Sequence, residues 1–195
     1  DVLFLCVRPV DLKGVIAETS ELLTPEKLIV SVAVDFSLRQ LESLCRARAA
    51  RAIPSVASGK GLGVTLLVLG SGASEDDRSL VFRLFGSIGW PVEVAEEQLE
   101  VLSDLTSSGP AYISAILREF ALEASMRGAG VDKDLAEQLI KKTLIGTAAL
   151  LEDESFDDLI AMVATRGGIT EEGAKVIEAL SPEMFRQLFS ATSAK

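Results

Sequence analysis

An α/β half followed by an all-α half is the fold class that this sequence of 195 residues predicts. Short apolar runs alternate with helical patterns as far as Ala95, the mark of βαβ units and a mainly parallel sheet. From Glu96 onward the strand signals stop and only helical periodicity remains. The third observation is Thr165-Arg166-Gly167-Gly168-Ile169-Thr170, paired glycines between two threonines just ahead of a helical pattern. The boundary falls near residues 95–98, which divides the chain into 1–96 and 97–195.

Residues 2–7, Val2-Leu3-Phe4-Leu5-Cys6-Val7, are a continuous apolar run, as in a strand covered on both faces. Pro9 opens a helical pattern through Val15, Ile16, Leu22 and Leu23, proline being suited to the first helical turn. The next strand is 28–33, after which Ser37 caps a short helix with Leu38, Leu41 and Leu44 on one face. Residues 50–54 and 64–69 read as two more short strands. A helix over 74–88 opens on the capping pattern Ser74-Glu75-Asp76-Asp77, and residues 91–95 close this half.

The helical half begins with Leu99, Leu102 and Leu105 at helical spacing over 97–107. Pro110 then predicts a break, because proline removes a backbone donor and clashes with the preceding turn. The next helix, 112–127, ends at Gly128 and Gly130, and Asp132 caps another over 133–151. Shorter helices follow over 155–165, 171–180 and 182–191. Helix 133–151 is apolar on more than one side, with Leu139, Ile140, Leu144, Ile145, Ala148 and Leu151. A helix apolar around most of its circumference is deeply buried, which so short a segment achieves more easily as a dimer than as a monomer.

Composition excludes several classes. The formal charge of −10 argues against nucleic acid, which asks for a basic face. Histidine is absent, which removes Ser-His-Asp and Cys-His nucleophilic mechanisms and argues against zinc catalysis, so no metal is expected. No apolar run reaches the roughly 18 residues that span a bilayer. Neither does a basic start precede an apolar run, so no signal peptide is expected and a membrane location is not. Two unclustered cysteines, Cys6 and Cys45, fit a reducing cytoplasm.

Residues 165–170 offer bare backbone N–H groups and two hydroxyls at a helix start. Such a turn can hold a carboxylate, because the first N–H groups of a helix lack intrahelical partners and carry partial positive charge, although taken by itself a Gly-Gly turn with threonines reads as an ordinary loop. Two other glycine-rich stretches imitate phosphate loops. Gly59-Lys60-Gly61-Leu62-Gly63 feeds a strand rather than a helix. Gly70-Ser71-Gly72-Ala73-Ser74 does feed a helix, but Glu75, Asp76 and Asp77 in its first turn repel phosphate. Both read as a turn or a cap. No G-x-G-x-x-G fingerprint appears, and the chain starts in what reads as the middle of a doubly wound sheet. About sixty upstream residues are therefore expected, the size of a βαβαβ half. Their loss in nature would instead leave a protein that is not a dinucleotide enzyme.

With these residues in hand, the chain resembles the pyrroline-5-carboxylate reductase family, which closes proline synthesis by hydride transfer from NAD(P)H. The resemblance runs the whole length. Asp1-Val2-Leu3-Phe4-Leu5-Cys6-Val7-Arg8-Pro9 is similar to a family strand ending in A-V-K-P, whose backbone borders the cofactor's ribose and nicotinamide. Ser31-Val32-Ala33 is similar to the S-x-A-A turn beside the nicotinamide. Residues 106–112 match S-G-S-G-P-A-Y, and Glu119 and Glu123 fall where that helix carries carboxylates. Residues 163–170 are similar to V-[TS]-S-P-G-G-[TA]-T, which holds the substrate carboxylate and places a hydroxyl near the ring nitrogen.

The resemblance implies a partial Rossmann-like sheet over 1–96 and a helical dimerisation and substrate domain over 97–195. It implies NADP or NAD against Cys6, Val7, Arg8, Pro9, Ser31, Ala33 and Ser55. A small-molecule substrate would meet Thr165, Arg166, Gly167, Gly168 and Glu119, with Thr170 as the catalytic hydroxyl. The assembly would be a cytoplasmic homodimer or higher homo-oligomer. Departures from the pattern are specific. The family's R-x-M-x-N-T-P reads Arg51-Ala52-Ile53-Pro54-Ser55-Val56-Ala57 here, Arg166 replaces a proline, and Glu171 and Glu172 follow Thr170 where the family is apolar or small. At about 8 Å and an effective dielectric near 20, each glutamate opposes a bound carboxylate by up to roughly 2 kcal/mol. Those departures motivate a paralogous reductase with another substrate, and the missing phosphate fingerprint motivates a non-catalytic dimerising module.

Overall fold

The computed structural model describes residues 1–34 and 36–193, in two compact units, Asp1–Pro110 and Ala111–Lys195. The first unit holds one five-stranded sheet in sequential order: β1 (Val2–Leu5), β2 (Leu28–Ser31), β3 (Arg48–Pro54), β4 (Gly63–Leu69) and β5 (Gly89–Glu93). All neighbours are parallel except β3 and β4. The link between Pro54 and Gly63 is shorter than the dozen or so residues of a parallel crossover, so these two strands turn back on each other. That link contains a 3-10 turn over Val56–Lys60, ended by Gly61 in the left-handed region.

Helices α1 (Pro9–Glu18), α2 (Leu38–Leu44) and α3 (Glu75–Gly86) connect the strands. Leu12 and Ile16 of α1 and Leu38 and Leu41 of α2 join Leu5, Ile29, Ala49, Ile53, Leu66 and Val68 in one apolar layer. Val81 and Phe85 of α3 cover Leu28, Val30, Ala50, Ala52 and Leu67 in another. The central strands β2, β3 and β4 are thereby buried on both sides, which is why they read as near-continuous apolar runs.

Strand β1 is shorter and less covered than its apolar run predicts. It ends at Leu5, Leu3 and Phe4 are exposed, and Cys6 is exposed in the following turn rather than buried in a strand. Its early end has a local reason: Pro9 starts α1 at once, and Arg8 before it is held extended, so the chain leaves the sheet early. As an edge, β1 pairs only with β2 among the described strands.

Helix α3 carries a buried charge cluster at its start. Ser74 Oγ accepts from the Asp77 backbone N–H, and Asp77 accepts from the Ser74 N–H at 2.8 Å. Arg48 Nη2 donates to the same carboxylate at 3.0 Å. Burial pushes the Asp77 carboxyl up, but the hydrogen bonds from Ser74 and Arg48 outweigh it and hold it below its ordinary value. A depressed carboxyl stabilises the fold above the unfolded pKa of about 3.9, and that contribution is lost as pH falls through the lower folded value. Asp77→Asn should therefore lower stability at neutral pH and flatten its acid dependence below about pH 4, as read from urea midpoints across a pH series.

After a 3-10 turn over Glu96–Gln98, α4 (Leu99–Thr106) ends the sheet-bearing part, and Ser107 and Ser108 interrupt the helix before α5 (Gly109–Ser125). The expected break is thus present, with Pro110 second in α5, where its missing N–H costs no helical bond. The second unit continues with α6 (Lys133–Leu150), α7 (Phe156–Val163) and α8 (Ile169–Thr192).

One uninterrupted α8 replaces the two helices predicted over 171–180 and 182–191, with Pro182 inside it. The apolar stripe explains the difference. Val176, Ile177, Leu180, Met184 and Phe185 keep helical spacing straight through the proline, and that pattern outweighs the loss of one backbone bond.

Candidate functional site

In the first unit the candidate residues follow the carboxyl ends of three adjacent parallel strands, β1 and β2 ending level with Arg51 and β3 running on to Pro54. Leu5, Ser31 and Arg51 lie in one register across β1, β2 and β3. In open α/β sheets this is the edge at which ligands bind. Beyond Leu5 come exposed Cys6, half-buried Val7, exposed Arg8 bonded to Asp11 at 3.0 Å, and Pro9 at the start of α1. Beyond β2, the fully buried Ser31 accepts through Oγ from the Ala33 N–H at 3.2 Å, which fixes a tight turn. The Val32 N–H donates to the Leu5 carbonyl at 3.3 Å and ties that turn to the neighbouring strand end. Beyond β3, Ser55 is buried at the start of the 3-10 turn, its Oγ accepting from the Ala57 N–H at 3.4 Å.

One polar element at this edge has a role that the sequence pattern did not assign. Arg51 sits in the middle of β3 between alanines, 5% exposed, and donates to Glu96 at 2.6 Å and to the Val34 carbonyl. Glu96 also accepts from the Leu38 N–H at 2.8 Å, at the start of α2. A guanidinium amid alanines and isoleucine in residues 48–54 was the available signal, since arginine is almost never fully buried unless paired.

In the second unit, residues 165–170 form a tight turn into α8. The Gly168 N–H donates to the Thr165 carbonyl at 2.8 Å, and Gly168 then serves as the N-cap of α8. A Cβ at Gly168 would stand 2.5 Å from Thr165 Oγ1 and 2.9 Å from its carbonyl oxygen, so only glycine fits. Gly167 has φ of 72°, the left-handed region that glycine enters without cost. Its N–H donates to Glu171 Oε2 at 2.5 Å. Lys175 Nζ lies 2.7 Å from Glu172 Oε1 and 3.7 Å from Glu171 Oε1. Thr165, Arg166 and Thr170 are exposed, and Ile169 is 93% exposed. Glu119 lies exposed on α5 and pairs with Arg118 at 2.9 Å.

The two Gly-Gly amides are thus engaged within the turn, one by a carbonyl and one by a carboxylate. An amide already facing a carboxylate shows that this backbone accepts an anion. Ser107 Oγ, at the break before α5, is buried without a hydrogen-bond partner among the described residues.

The parallel strands of the first unit form a Rossmann-like sheet, and the relatives give the class, an NAD(P)H-dependent oxidoreductase. Residues 96–195 match the family model for pyrroline-5-carboxylate reductase dimerisation. Pyrroline-5-carboxylate reductase 3 of Bacillus subtilis (strain 168) is 33% identical, over 99% of this chain and 71% of that protein. ComE operon protein 4 of the same organism is 29% identical, over 100% of this chain and 72% of that protein. A solved pyrroline-5-carboxylate reductase from Coxiella burnetii superimposes with a TM-score of 0.86 at 31% identity, covering 98% of this chain and 71% of that one. This chain belongs to the pyrroline-5-carboxylate reductase family.

Proposed function

We propose that the protein reduces a cyclic imino acid of the 1-pyrroline-5-carboxylate type to the corresponding cyclic amino acid, with NADPH or NADH as reductant, as a cytoplasmic homodimer. The turn at 165–170, opening α8 with backbone donors and two exposed threonines, is the observation that carries this reading. Family membership places the chain with enzymes rather than with non-catalytic dimerising modules.

The strand ends fit the nicotinamide end of a dinucleotide. The carboxyl ends of β1 and β2 lie side by side beside β3, Ser31 fixes the turn at Ala33, and the chain between Leu5 and α1 is exposed at Cys6 and Arg8. A nicotinamide held there supplies the hydride. The protein's own share is position and electrostatics. Thr165 and the Gly167 N–H bind the carboxylate, with Arg166 as a guanidinium able to contact it twice, while the Gly168 N–H stays on the Thr165 carbonyl. Thr170 hydrogen-bonds the ring nitrogen and holds a proton there as the imine carbon is reduced.

The dimer rests on the second unit's lack of an interior. Ala121 and Ala136 are its buried hydrophobics among the described residues, while Phe120, Leu139, Ile145, Ile177 and Leu180 are exposed in the single chain. Apolar surface on that scale marks a protein interface. The described helices include none long and apolar enough to cross a membrane.

Cofactor oxidation in the presence of 1-pyrroline-5-carboxylate tests the activity directly, and its absence with both NADPH and NADH sinks it. Thr170→Val should lower kcat/KM by about 1–3 kcal/mol of transition-state stabilisation, the scale of one buried hydrogen bond. Unchanged steady-state kinetics would remove the hydroxyl from the mechanism. A second reading, a reductase of the same scaffold acting on a different cyclic imine, is favoured by one contact, that of Glu171 with the Gly167 amide.

A further inference from the structure

An acid at the third position of a helix ordinarily turns back to the N–H of the N-cap residue. In α8 that donor is taken, since the Gly168 N–H is bonded to the Thr165 carbonyl. Glu171 reaches one residue further and places Oε2 on the Gly167 N–H, outside the helix and inside the turn. Its side chain is 34% exposed, so the carboxylate stands at the open side of the turn, within reach of a solute. A second partner lies close by: Lys175 Nζ is 3.7 Å from Glu171 Oε1, on the next helical turn. The side chain therefore has two places to rest, on the amide or on the ammonium.

We propose that Glu171 is a specificity-determining residue, an internal carboxylate that competes with the ring carboxylate of the substrate for the Gly167 N–H and so narrows the preference for carboxylated over unsubstituted cyclic imines. The inference rests on the reading of residues 165–170 as the substrate turn. Two anions cannot share one N–H donor, so a carboxylated ring enters only after Glu171 has moved to Lys175. A ring without a carboxylate makes no such demand. Glu172 does not compete, because it is held by Lys175 at 2.7 Å and its oxygen faces the ammonium rather than the turn.

The test compares kcat/KM for 1-pyrroline-5-carboxylate and for unsubstituted 1-pyrroline, in the full-length enzyme with its cofactor, for the parent, Glu171→Gln, Glu171→Ile and Glu172→Gln. Glutamine keeps the size and an oxygen acceptor for the Gly167 N–H but loses the charge, so a purely structural cap would survive that change. The ratio of kcat/KM, carboxylated over unsubstituted, should rise about tenfold in Glu171→Gln and at least as far in Glu171→Ile, the scale of a charge-assisted hydrogen bond. L-Proline should bind correspondingly tighter to both variants by calorimetry, a measurement that requires no turnover. Turnover of both imines with an unchanged ratio in Glu171→Gln would overturn the inference and leave the substrate turn standing. Glu172→Gln frees Lys175 for Glu171, so any rise it causes should vanish when it is added to Glu171→Gln; an equal further rise in that double variant would also overturn the inference, by showing a diffuse field rather than occupation of one donor. No turnover of either imine by any of these proteins would overturn the substrate reading and this inference with it.

Discussion

Ile145→Asp should convert the protein to a monomer and collapse the order of its helical unit. Ile145 is 66% exposed in the single chain and lies on α6, whose other apolar residues include Leu139 and Leu144. The unit's buried hydrophobics among the described residues are two alanines, so its helices have no interior of their own to fall back on. Amphipathic helices draw most of their stability from the packing of the apolar face rather than from propensity. If a second copy covers α6, an aspartate there arrives in an apolar interface without a partner, at a cost of several kcal/mol per protomer. A penalty of about 3 kcal/mol already raises the dissociation constant more than a hundredfold. Sedimentation at micromolar concentration should show the parent as a dimer and the variant as a monomer with reduced helical circular dichroism. A parent that sediments as a clean monomer would remove the dimer itself.

That unit also marks where the sequence was and was not legible. Helices α6 and α7 follow from caps and periodicity, because Asp132 and Ser155 accept from the backbone three residues on. Apolar residues around α6 are the sequence's signal that something covers this helix. The continuity of α8 through Pro182 was missed, since a proline after Ser181 reads locally as a new start and only the longer stripe shows otherwise. In the first unit the parallel strands were plain from their apolar runs. The early end of β1 was less so, because Cys6 and Val7 extend the apolar run past the point where Pro9 forces the chain out of the sheet. The turn at 165–170 was readable as an anion site from its glycines. That Glu171 would take one of its amides was not, since that depends on Gly168 having already spent its own N–H on Thr165. Sequence shows which groups are near in the chain; it does not show which donor is already in use.

The Arg51–Glu96 contact, invisible to periodicity, leads to the other large effect. Glu96→Ala should destabilise the sheet unit more than Arg51→Met does, although both remove the same ion pair. Arg51 is buried, with its guanidinium held by Glu96 and the Val34 carbonyl. The Glu96 side chain is about a third exposed, so water solvates it when its partner leaves. Deleting Glu96 strands a positive charge inside the sheet's edge and also takes the acceptor from the Leu38 N–H at the start of α2. Breaking a buried pair in this way costs about 3–5 kcal/mol. Arg51→Met removes the charge itself and keeps an unbranched apolar side chain. Its cost is limited to an unpaired Val34 carbonyl and a carboxylate that stays wet, about 1–2 kcal/mol. Urea unfolding should therefore order the proteins as parent, Arg51→Met, then Glu96→Ala, with similar m-values if the transition stays two-state. The same substitutions carry a functional readout. Val34 and Leu38 flank the end of β2, where Ser31 and Ala33 shape the candidate nicotinamide turn, so loosening them should weaken dinucleotide binding in the same order. Arg51→Met proving the more destabilising of the two would show that Glu96, and not the buried guanidinium, is the group that depends on its partner.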